Sequence, residues 1–157
     1  MRLLTTVSTA PVRGSSVTPG YFDNPEETGK ALDQDGWLRT GDGGYLDDEG
    51  YLFLTDRIKD MIVTGAENVY PAEVEEVLAQ HPQVVEVAVF GLSDDRWGEI
   101  VTAAVVTKQD TDTDELIAFA RERLAGYKLP RAVHHIDEMP KTATGKVSKK
   151  DLREQYS

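Results

Sequence analysis

Residues 84–106 have the sequence VVEVAVFGLSDDRWGEIVTAAVV. It contains two runs of strand length, Val84–Phe90 and Ile100–Val106, and both are rich in the β-branched residues that favour strands. Because only the short link Ser93–Gly98 joins them, we expect the two strands to pair antiparallel. The sequence therefore predicts a small β-sheet at the centre of this part of the chain.

The segment before these strands predicts a hairpin followed by a helix. Met61–Val63 and Asn68–Tyr70 flank the turn candidate Thr64–Glu67. Pro71 is then expected to open a helix, because proline is well tolerated at the first helical position. The apolar face of this helix has helical spacing and consists of Val74, Val77 and Leu78.

Two more helices and one more strand are expected after residue 106. Thr111 and Asp114 have the spacing of a capping box, and Gly126 is the expected C-cap of the helix that follows. Ala132–Ile136 predicts a third strand, and Ser148 is expected to cap a short last helix. The predicted fold class is α+β, with a small mixed or antiparallel sheet covered by helices.

The first part of the chain is different, because residues 12–58 are dense in glycine, aspartate and aromatic residues. Tyr45–Leu46 and Tyr51–Leu54, on either side of a four-residue turn, predict a β-hairpin. A short surface helix is expected around Pro25–Thr28. This part offers few positions at which apolar area could be buried, so we expect it to pack against something else. Residues 1–11 are expected to be a disordered leader.

Composition and charge exclude several classes of function. The 157 residues contain no cysteine, which excludes disulfides, zinc thiolate sites and cysteine nucleophiles. The formal net charge of −11 argues against general nucleic-acid binding, which requires an excess of Lys and Arg. No apolar run approaches the length that spans a bilayer. We predict a cytoplasmic protein with no transmembrane segment and no nucleic-acid partner.

Several familiar site patterns fail on inspection. Gly145–Lys146 is not a phosphate loop, because Pro140 stands where that motif requires its first glycine. The acidic run at 110–114 lacks the glycine of a calcium loop, and a solvated helix start explains it better. His134 and His135 would lie on opposite faces of a strand, so they are poor joint metal ligands. We expect no metal site in this chain.

Three segments, taken together, are the strongest indication of function in the sequence. They are Gly36–Asp42, Thr55–Ile62 continuing into Gly65–Glu75, and Pro140–Val147. Each alone could be a turn, a mixed-charge loop or a flexible basic tail. Their order and spacing resemble the adenylate-forming (AMP-binding) superfamily of acyl- and aryl-CoA synthetases, luciferases and peptide-synthetase adenylation domains. The resemblance runs from about Val12 to Arg153, and Glu67–Glu75 is typical of the CoA synthetase branch.

The resemblance implies a role for individual residues. Asp42 would accept hydrogen bonds from the ribose hydroxyls of ATP, and Arg57 would support the same nucleotide. Lys59 matches the hinge position, and Lys146 matches the adenylation lysine, the catalytic residue. A cation is needed there because carboxylate attack on the α-phosphate brings two anions together. The polar Thr144–Gly145 is expected to leave this lysine mobile.

The family uses one small domain for two half-reactions. After the acyl-adenylate forms, this domain would swing about the hinge and present Gly65, Ala66 and Glu67 to the tunnel that admits CoA. ATP with Mg and CoA are therefore the implied co-substrates, and no tightly bound cofactor is expected. The implied partners are a small-molecule acid, the N-terminal domain of the same enzyme, and a lysine acetyltransferase that would remove the charge of Lys146.

The implied organisation is a divergent leader over residues 1–11, the tail of an N-terminal β-subdomain over 12–58 with the hinge at 59, and a lid domain over 59–155. The phosphate loop and acyl pocket of the family are missing, so we expect a truncated product or fragment that is inactive alone. The alternatives are a subunit that complements a separate N-terminal domain in trans, a non-catalytic module, and a ligase that passes its acyl group to a carrier protein. Gly43 and Ala66 depart from the family pattern, and the acid itself cannot be predicted.

Overall fold

The structure is a computed structural model that describes residues 5–7 and 10–157. The chain divides into two units, Met1–Lys59 and Asp60–Ser157. Within the described residues, every helix is too short or too polar to cross a membrane.

The first unit is built of short strands and one surface helix in its described part. In chain order its elements are β1 (Thr5–Val7), β2 (Pro11–Val12), α1 (Pro25–Ala31), β3 (Leu38–Arg39), β4 (Asp42–Leu46) and β5 (Leu52–Arg57). β4 pairs antiparallel with both β1 and β5, and β2 pairs antiparallel with β3. The expected helix near Pro25 is confirmed, with the side chain of Asn24 accepting a hydrogen bond from the N–H of Glu27 (3.1 Å).

The hairpin predicted around residues 45–54 is also confirmed. Tyr45 lies opposite Phe53 in the β4–β5 register, and their rings stack with centroids 5.1 Å apart. The register shifts between Gly43 and Gly44, which marks a β-bulge. A Cβ on Gly44 would collide with the carbonyl oxygen of Phe53, so only glycine allows the two strands to approach this closely.

The first unit has little apolar core of its own. Among residues 10–59 only Ala10, Gly43 and Gly44 are buried, whereas Leu52 and Leu54 on β5 are exposed. This agrees with the expectation that the segment offers few positions at which apolar area is buried.

The disordered leader expected over residues 1–11 stays a prediction. Residues 1–4 and 8–9 lie outside the described residues, but Thr5–Val7 forms β1 and Pro11 begins β2. β-branched residues favour extended backbone, and the edge of β4 offers free hydrogen-bonding groups with which this segment pairs.

The second unit contains a mixed sheet and three helices, and all of its residues are described. In chain order its elements are β6 (Ile62–Thr64), β7 (Glu67–Val69), α2 (Pro71–Ala79), β8 (Val84–Asp94), β9 (Gly98–Thr107), α3 (Thr113–Arg121), β10 (Ala132–His135) and α4 (Lys149–Tyr156). The hairpin β6–β7 and the helix that starts at Pro71 confirm the sequence prediction.

The long pair β8–β9 forms the centre of the sheet and is antiparallel, as predicted. Both strands extend further toward each other than the sequence indicated, so that Asp94 pairs with Gly98 across a tight turn. β10 lies parallel to β9, with Ala132 opposite Thr102, and β6 joins β9 at the pair Thr64–Gly98. The predicted α+β fold with a small sheet is confirmed, and the sheet is mixed.

Alternating side chains of the central strands fill two separate apolar clusters, because successive residues of a strand point to opposite faces. One cluster lies under α2 and α3 and includes Val89, Val101, Ala103, Val105 and Leu116. The other lies under α4 and includes Ala88, Phe90, Ala104, Met139 and Leu152. Helices therefore cover both faces of the sheet.

The ends of α3 differ from the prediction. Asp112, not Thr111, is the N-cap, and its Oδ1 accepts a hydrogen bond from the N–H of Asp114 (3.0 Å). The hydroxyl of Thr111 donates instead to the carbonyl of Gln109 (3.0 Å). The helix ends at Arg121, and Gly126 begins a separate 3₁₀ turn rather than serving as the C-cap.

Candidate active site

Lys146 lies in a short hairpin that the backbone closes with hydrogen bonds. Lys141 and Val147 form an isolated bridge, and the N–H of Thr142 donates to the carbonyl of Lys146 (2.7 Å). The N–H of Gly145 donates to the carbonyl of Thr142 (2.9 Å), with Gly145 at φ +81°. The structure has a hydrogen-bonded turn here that glycine makes possible, and the mobility expected for Lys146 stays a prediction.

The ammonium group of Lys146 is distinguished by its surroundings. Residues 60–157 are all described, and the other lysines there each contact an acceptor: Lys108 a backbone carbonyl, and Lys128, Lys141, Lys149 and Lys150 a glutamate. Lys146 is exposed, and in the described chain its Nζ has neither an ion pair nor a hydrogen bond. Its charge is therefore available to an anion from outside this unit.

The base of the Lys146 hairpin is anchored on both sides. Met139, just before it, is buried in the cluster under α4. The N–H of Ser148 donates to the carbonyl of Pro140 (2.8 Å), and its hydroxyl caps α4 by accepting from the N–H of Asp151 (3.3 Å), as predicted. Lys141 forms an ion pair with Glu86 of β8 (2.9 Å). Only the tip of the hairpin projects from these contacts.

Asp42 and Arg57 lie side by side in the first unit. They face each other in the β4–β5 register, and Nε of Arg57 lies 3.4 Å from Oδ1 of Asp42. The hydroxyl of Thr40 accepts from the N–H of Asp42 (3.1 Å) and donates to the carbonyl of Ala10 (2.9 Å), which fixes the start of β4. The result is an accessible carboxylate next to a guanidinium, groups that suit sugar hydroxyls and phosphate oxygens.

Gly65, Ala66 and Glu67 are exposed at the turn of the β6–β7 hairpin. Gly65 has φ +65°, and its N–H donates to the carbonyl of Trp97 (2.7 Å). A Cβ at Gly65 would lie 3.4 Å from the Trp97 ring, with the guanidinium of Arg131 4.3 Å from the centroid of that ring. The turn is therefore a backbone surface supported from below by an aromatic side chain.

A carboxylate braces the same hairpin from inside the unit. Oε2 of Glu99 accepts a hydrogen bond from the N–H of Val63 on β6 (2.8 Å). Trp97 and Glu99 had no predicted role. Their contacts join residues more than 30 positions apart, which no local pattern indicates.

The predicted site residues therefore fall into four places. Asp42 and Arg57 are adjacent in the first unit, and Lys59 is the last residue of that unit. Lys146 and Gly65–Glu67 lie on two separate hairpins of the second unit.

The two adjacent histidines are used structurally. The ring of His134 stacks on Tyr156 of α4 with centroids 3.8 Å apart, and Nε2 of His135 lies 3.1 Å from the hydroxyl of Thr113 on α3. The two side chains thus contact different helices, as their adjacent positions on a strand predict. Within the described residues, His, Asp and Glu nowhere gather in a group of three that could hold a metal ion.

Comparison with known proteins gives consistent matches. The family model for the AMP-binding enzyme C-terminal domain matches residues 73–146. The chain is 51% identical over 146 residues to 3-[(3aS,4S,7aS)-7a-methyl-1,5-dioxo-octahydro-1H-inden-4-yl]propanoyl:CoA ligase of Rhodococcus jostii. The matched region covers 92% of this chain and 28% of that ligase.

Solved structures agree. ATP-bound MatB from Rhodopseudomonas palustris matches with a TM-score of 0.87 and 38% identity, over 94% of this chain and 30% of that one. The o-succinylbenzoate CoA synthetase of Bacillus subtilis, in complex with the acyl-adenylate OSB-AMP, matches with a TM-score of 0.85 and 41% identity, over 94% and 29%.

The chain thus spans a little under a third of the length of these relatives. The predicted resemblance is confirmed, since the family model and the relatives point to the same superfamily. Residues 73–146 match the AMP-binding enzyme C-terminal domain, and the chain matches the C-terminal portion of adenylate-forming enzymes whose similar members are acyl- and aryl-CoA ligases.

Proposed function

We propose that this chain supplies the catalytic lysine and the thioesterification hairpin of an ATP-dependent carboxylic acid–CoA ligase. The observation that carries the proposal is the unpaired, exposed ammonium of Lys146 on an anchored hairpin, in a unit where every other lysine has an acceptor. The relatives support the reaction class, because two are named for CoA ligation and one was solved with ATP. The acid pocket is assigned to an N-terminal domain, which is the principal partner.

In the first half-reaction, an oxygen of the substrate carboxylate attacks the α-phosphorus of ATP. The bond from that phosphorus to the pyrophosphate oxygen breaks, and its electron pair leaves with pyrophosphate. Lys146 would bridge the carboxylate and the α-phosphate, which lowers the repulsion between two anions as they meet. Asp42 would accept from the ribose hydroxyls and Arg57 would lie beside them, with Mg arriving as part of the ATP co-substrate.

In the second half-reaction, the thiolate of CoA attacks the acyl carbon, and the bond from that carbon to the AMP oxygen breaks. Gly65, Ala66 and Glu67 would line the entry of the pantetheine arm, because an exposed turn without a side chain at its first position allows close backbone approach. Rotation about Lys59, where the first unit ends, would exchange Lys146 for this turn.

A chimera tests the proposal directly. The chain replaces the matching part of the Rhodococcus jostii ligase, and that enzyme's own acid serves as substrate. Adenylation is followed by pyrophosphate release, and thioesterification is followed separately from supplied acyl-adenylate and CoA. Lys146→Ala is expected to slow adenylation by about 100-fold or more, while thioesterification stays within about twofold.

Lys150→Ala is the matched control, because Lys150 is an exposed lysine of the same unit whose contact is an i,i+4 pair with Glu154 (3.5 Å). It is expected to leave both half-reactions unchanged. Equal adenylation by the Lys146→Ala and parent chimeras would refute the proposal. Thioester formation only with a carrier protein, and none with CoA, would favour the acyl-AMP ligase that transfers to a carrier.

The chain alone is proposed to be inactive, since without the N-terminal domain Lys146 has no bound acid and ATP on which to act. Mixing the purified chain with a separately produced N-terminal domain distinguishes the remaining alternatives. Recovered, Lys146-dependent activity would establish complementation in trans, whereas no recovery together with activity of the chimera supports one continuous enzyme. A cytoplasmic location stays a prediction.

Lys146 is also the proposed target of a lysine acetyltransferase. Its amine is exposed and unpaired in the described chain, whereas the nearby amine of Lys141 is held by Glu86 (2.9 Å). Acetylation would remove the charge that adenylation needs. Mass spectrometry after treatment with an acetyltransferase and acetyl-CoA should find Lys146 modified ahead of Lys141, and preferential modification of Lys141 would contradict this.

A further inference from the structure

The last helix, α4, contacts both the Lys146 hairpin and the start of the second unit at Asp60. The proposed reaction requires these two regions to keep a fixed position relative to each other. Helix α4 begins at Lys149, directly after the capping residue Ser148 and the Lys146 hairpin. On its inner face Leu152 is fully buried, and Tyr156 stacks on His134. The helix is therefore packed firmly beneath the base of the hairpin.

Two ion pairs extend from α4 to distant parts of the unit. Nζ of Lys149 lies 2.8 Å from Oε1 of Glu75 on α2, and Nη2 of Arg153 lies 3.0 Å from Oδ1 of Asp60. Asp60 is the first residue of the second unit, immediately after Lys59. The pair with Arg153 thus fixes the point at which the unit begins relative to the helix that follows Lys146.

The ion pair between Arg153 and Asp60 is partly shielded from solvent, so it constrains the relative position of the two residues. The side chain of Asp60 is 16% exposed and that of Arg153 is 33% exposed. Such a pair is stronger than one on the open surface, and removing one partner leaves the other poorly solvated. In contrast, the Lys150–Glu154 pair on the outer face of the same helix is 81% and 66% exposed.

We infer that Asp60 and Arg153 are positioning residues that hold the hinge end of the unit in register with the Lys146 hairpin, so that rotation about Lys59 delivers the ammonium to one defined place. This inference rests on the proposed adenylation role of Lys146. Neither residue touches the reacting atoms, so each would act on the adenylation rate through the position of Lys146.

The test uses the chimera and measures both half-reactions for Arg153→Gln, Asp60→Asn and Arg153→Lys. The kcat of adenylation is expected to fall by about 10- to 100-fold in the first two variants, because a misplacement of about 1 Å costs on the order of 100-fold. The KM for ATP and the rate from supplied acyl-adenylate should stay within about threefold of the parent. Arg153→Lys keeps the charge and should recover most of the lost kcat, and Lys150→Gln on the same helix should change nothing.

The possible outcomes separate this inference from the proposed function. If both half-reactions fall together, or if Arg153→Gln equals the parent, the positioning role is wrong while the role of Lys146 stands. If adenylation in the parent chimera does not depend on Lys146, the proposed function itself fails. Thermal unfolding of each variant shows whether it is folded, and Asp60→Asn, which keeps the shape of the side chain, replaces any Arg153 variant that is not.

Discussion

The carboxylate of Glu99 occupies the space beside Gly91, where an added Cβ would lie 2.6 Å from Oε1. The other oxygen of that carboxylate accepts a hydrogen bond from the N–H of Val63 on β6 (2.8 Å). Because Gly91 on β8 has no side chain, Glu99 has room to make this hydrogen bond. The hairpin with Gly65 at its turn depends on this arrangement.

Gly91→Ala is therefore expected to displace Glu99 and to lower the free energy of unfolding by about 0.5–1.5 kcal/mol, since the N–H of Val63 exchanges its carboxylate acceptor for water. Gly126→Ala is the matched control, because nothing lies within 4 Å of its Cβ position. Denaturant unfolding measures both variants, and hydrogen exchange at Val63 should accelerate only in the first. Equal stability of the two variants would contradict the brace.

Gly65→Ala and Gly145→Ala should affect opposite half-reactions. Both positions have positive φ, +65° and +81°, which costs a residue with a side chain about 1–2 kcal/mol. In the chimera, Gly65→Ala is expected to slow thioesterification more than adenylation, because it alters the turn next to Trp97. Gly145→Ala should slow adenylation more, because it alters the Lys146 hairpin. The same ratio of the two rates in both variants would show that the two hairpins have no separate roles.

Glu75→Ala should be one of the more destabilising changes on α2. Oε1 of Glu75 accepts from the N–H of Val89 (2.7 Å) and lies 2.8 Å from Nζ of Lys149, so its removal leaves a strand N–H and an ammonium without their acceptor. We expect a loss of about 2–4 kcal/mol. Glu76→Ala, at the exposed neighbouring position, should change stability by less than about 0.5 kcal/mol. Chemical denaturation compares the two, and a small effect at Glu75 would mean that other groups satisfy Val89 and Lys149.

The stack between His134 and Tyr156 should make stability depend on pH. Burial lowers the pKa of His134 from its ordinary value of 6.5, and its Nε2 is buried without a hydrogen-bond partner among the described residues. The unfolded chain then binds the proton more tightly than the folded chain, so stability present above pH 6.5 is lost progressively as the pH falls below 6.5 and through the lowered pKa of His134 in the folded chain.

His134→Phe keeps an aromatic ring against Tyr156 and removes the titrating group. Between pH of about 7.5 and about 5.5, the melting temperature of the variant should fall less than that of the parent. His135→Gln, on the opposite side of the strand, should follow the parent. Parallel curves for the His134 variant and the parent would exclude His134 as the source of the pH dependence.

Much of the fold follows from local sequence pattern. The β-branched runs predicted β8 and β9, Pro71 predicted the start of α2, and Ser148 predicted the cap of α4, all of which the structure contains. The predicted N-cap of α3 is one residue too early. Thr111 and Asp112 are both residue types that cap helices well, and only the backbone conformation in the folded chain shows that Asp112 is the cap. The parallel orientation of β10 depends on the path of the chain around α3, which the sequence pattern does not encode locally.

The candidate site was predictable in its residue types and less so in its geometry. The family resemblance implied Lys146, Asp42 and Arg57, and the structure adds that Arg57 adjoins Asp42 and that Lys146 has no ion pair in the described chain. The bracing groups Glu75, Glu99 and Arg153 look like ordinary surface charges in the sequence. Their function depends on partners that only the folded sheet brings near, up to 93 positions away for Arg153 and Asp60.

The sparse interior of the first unit has a practical consequence for handling the protein. β5 is an edge strand, and its Leu52, Phe53 and Leu54 side chains are 46%, 45% and 60% exposed. Exposed apolar edges tend to pair with other chains, so the isolated polypeptide should self-associate as its concentration rises. Crystallisation or NMR of residues 60–157, which carry two apolar clusters of their own, should therefore succeed under conditions in which the 157-residue chain precipitates.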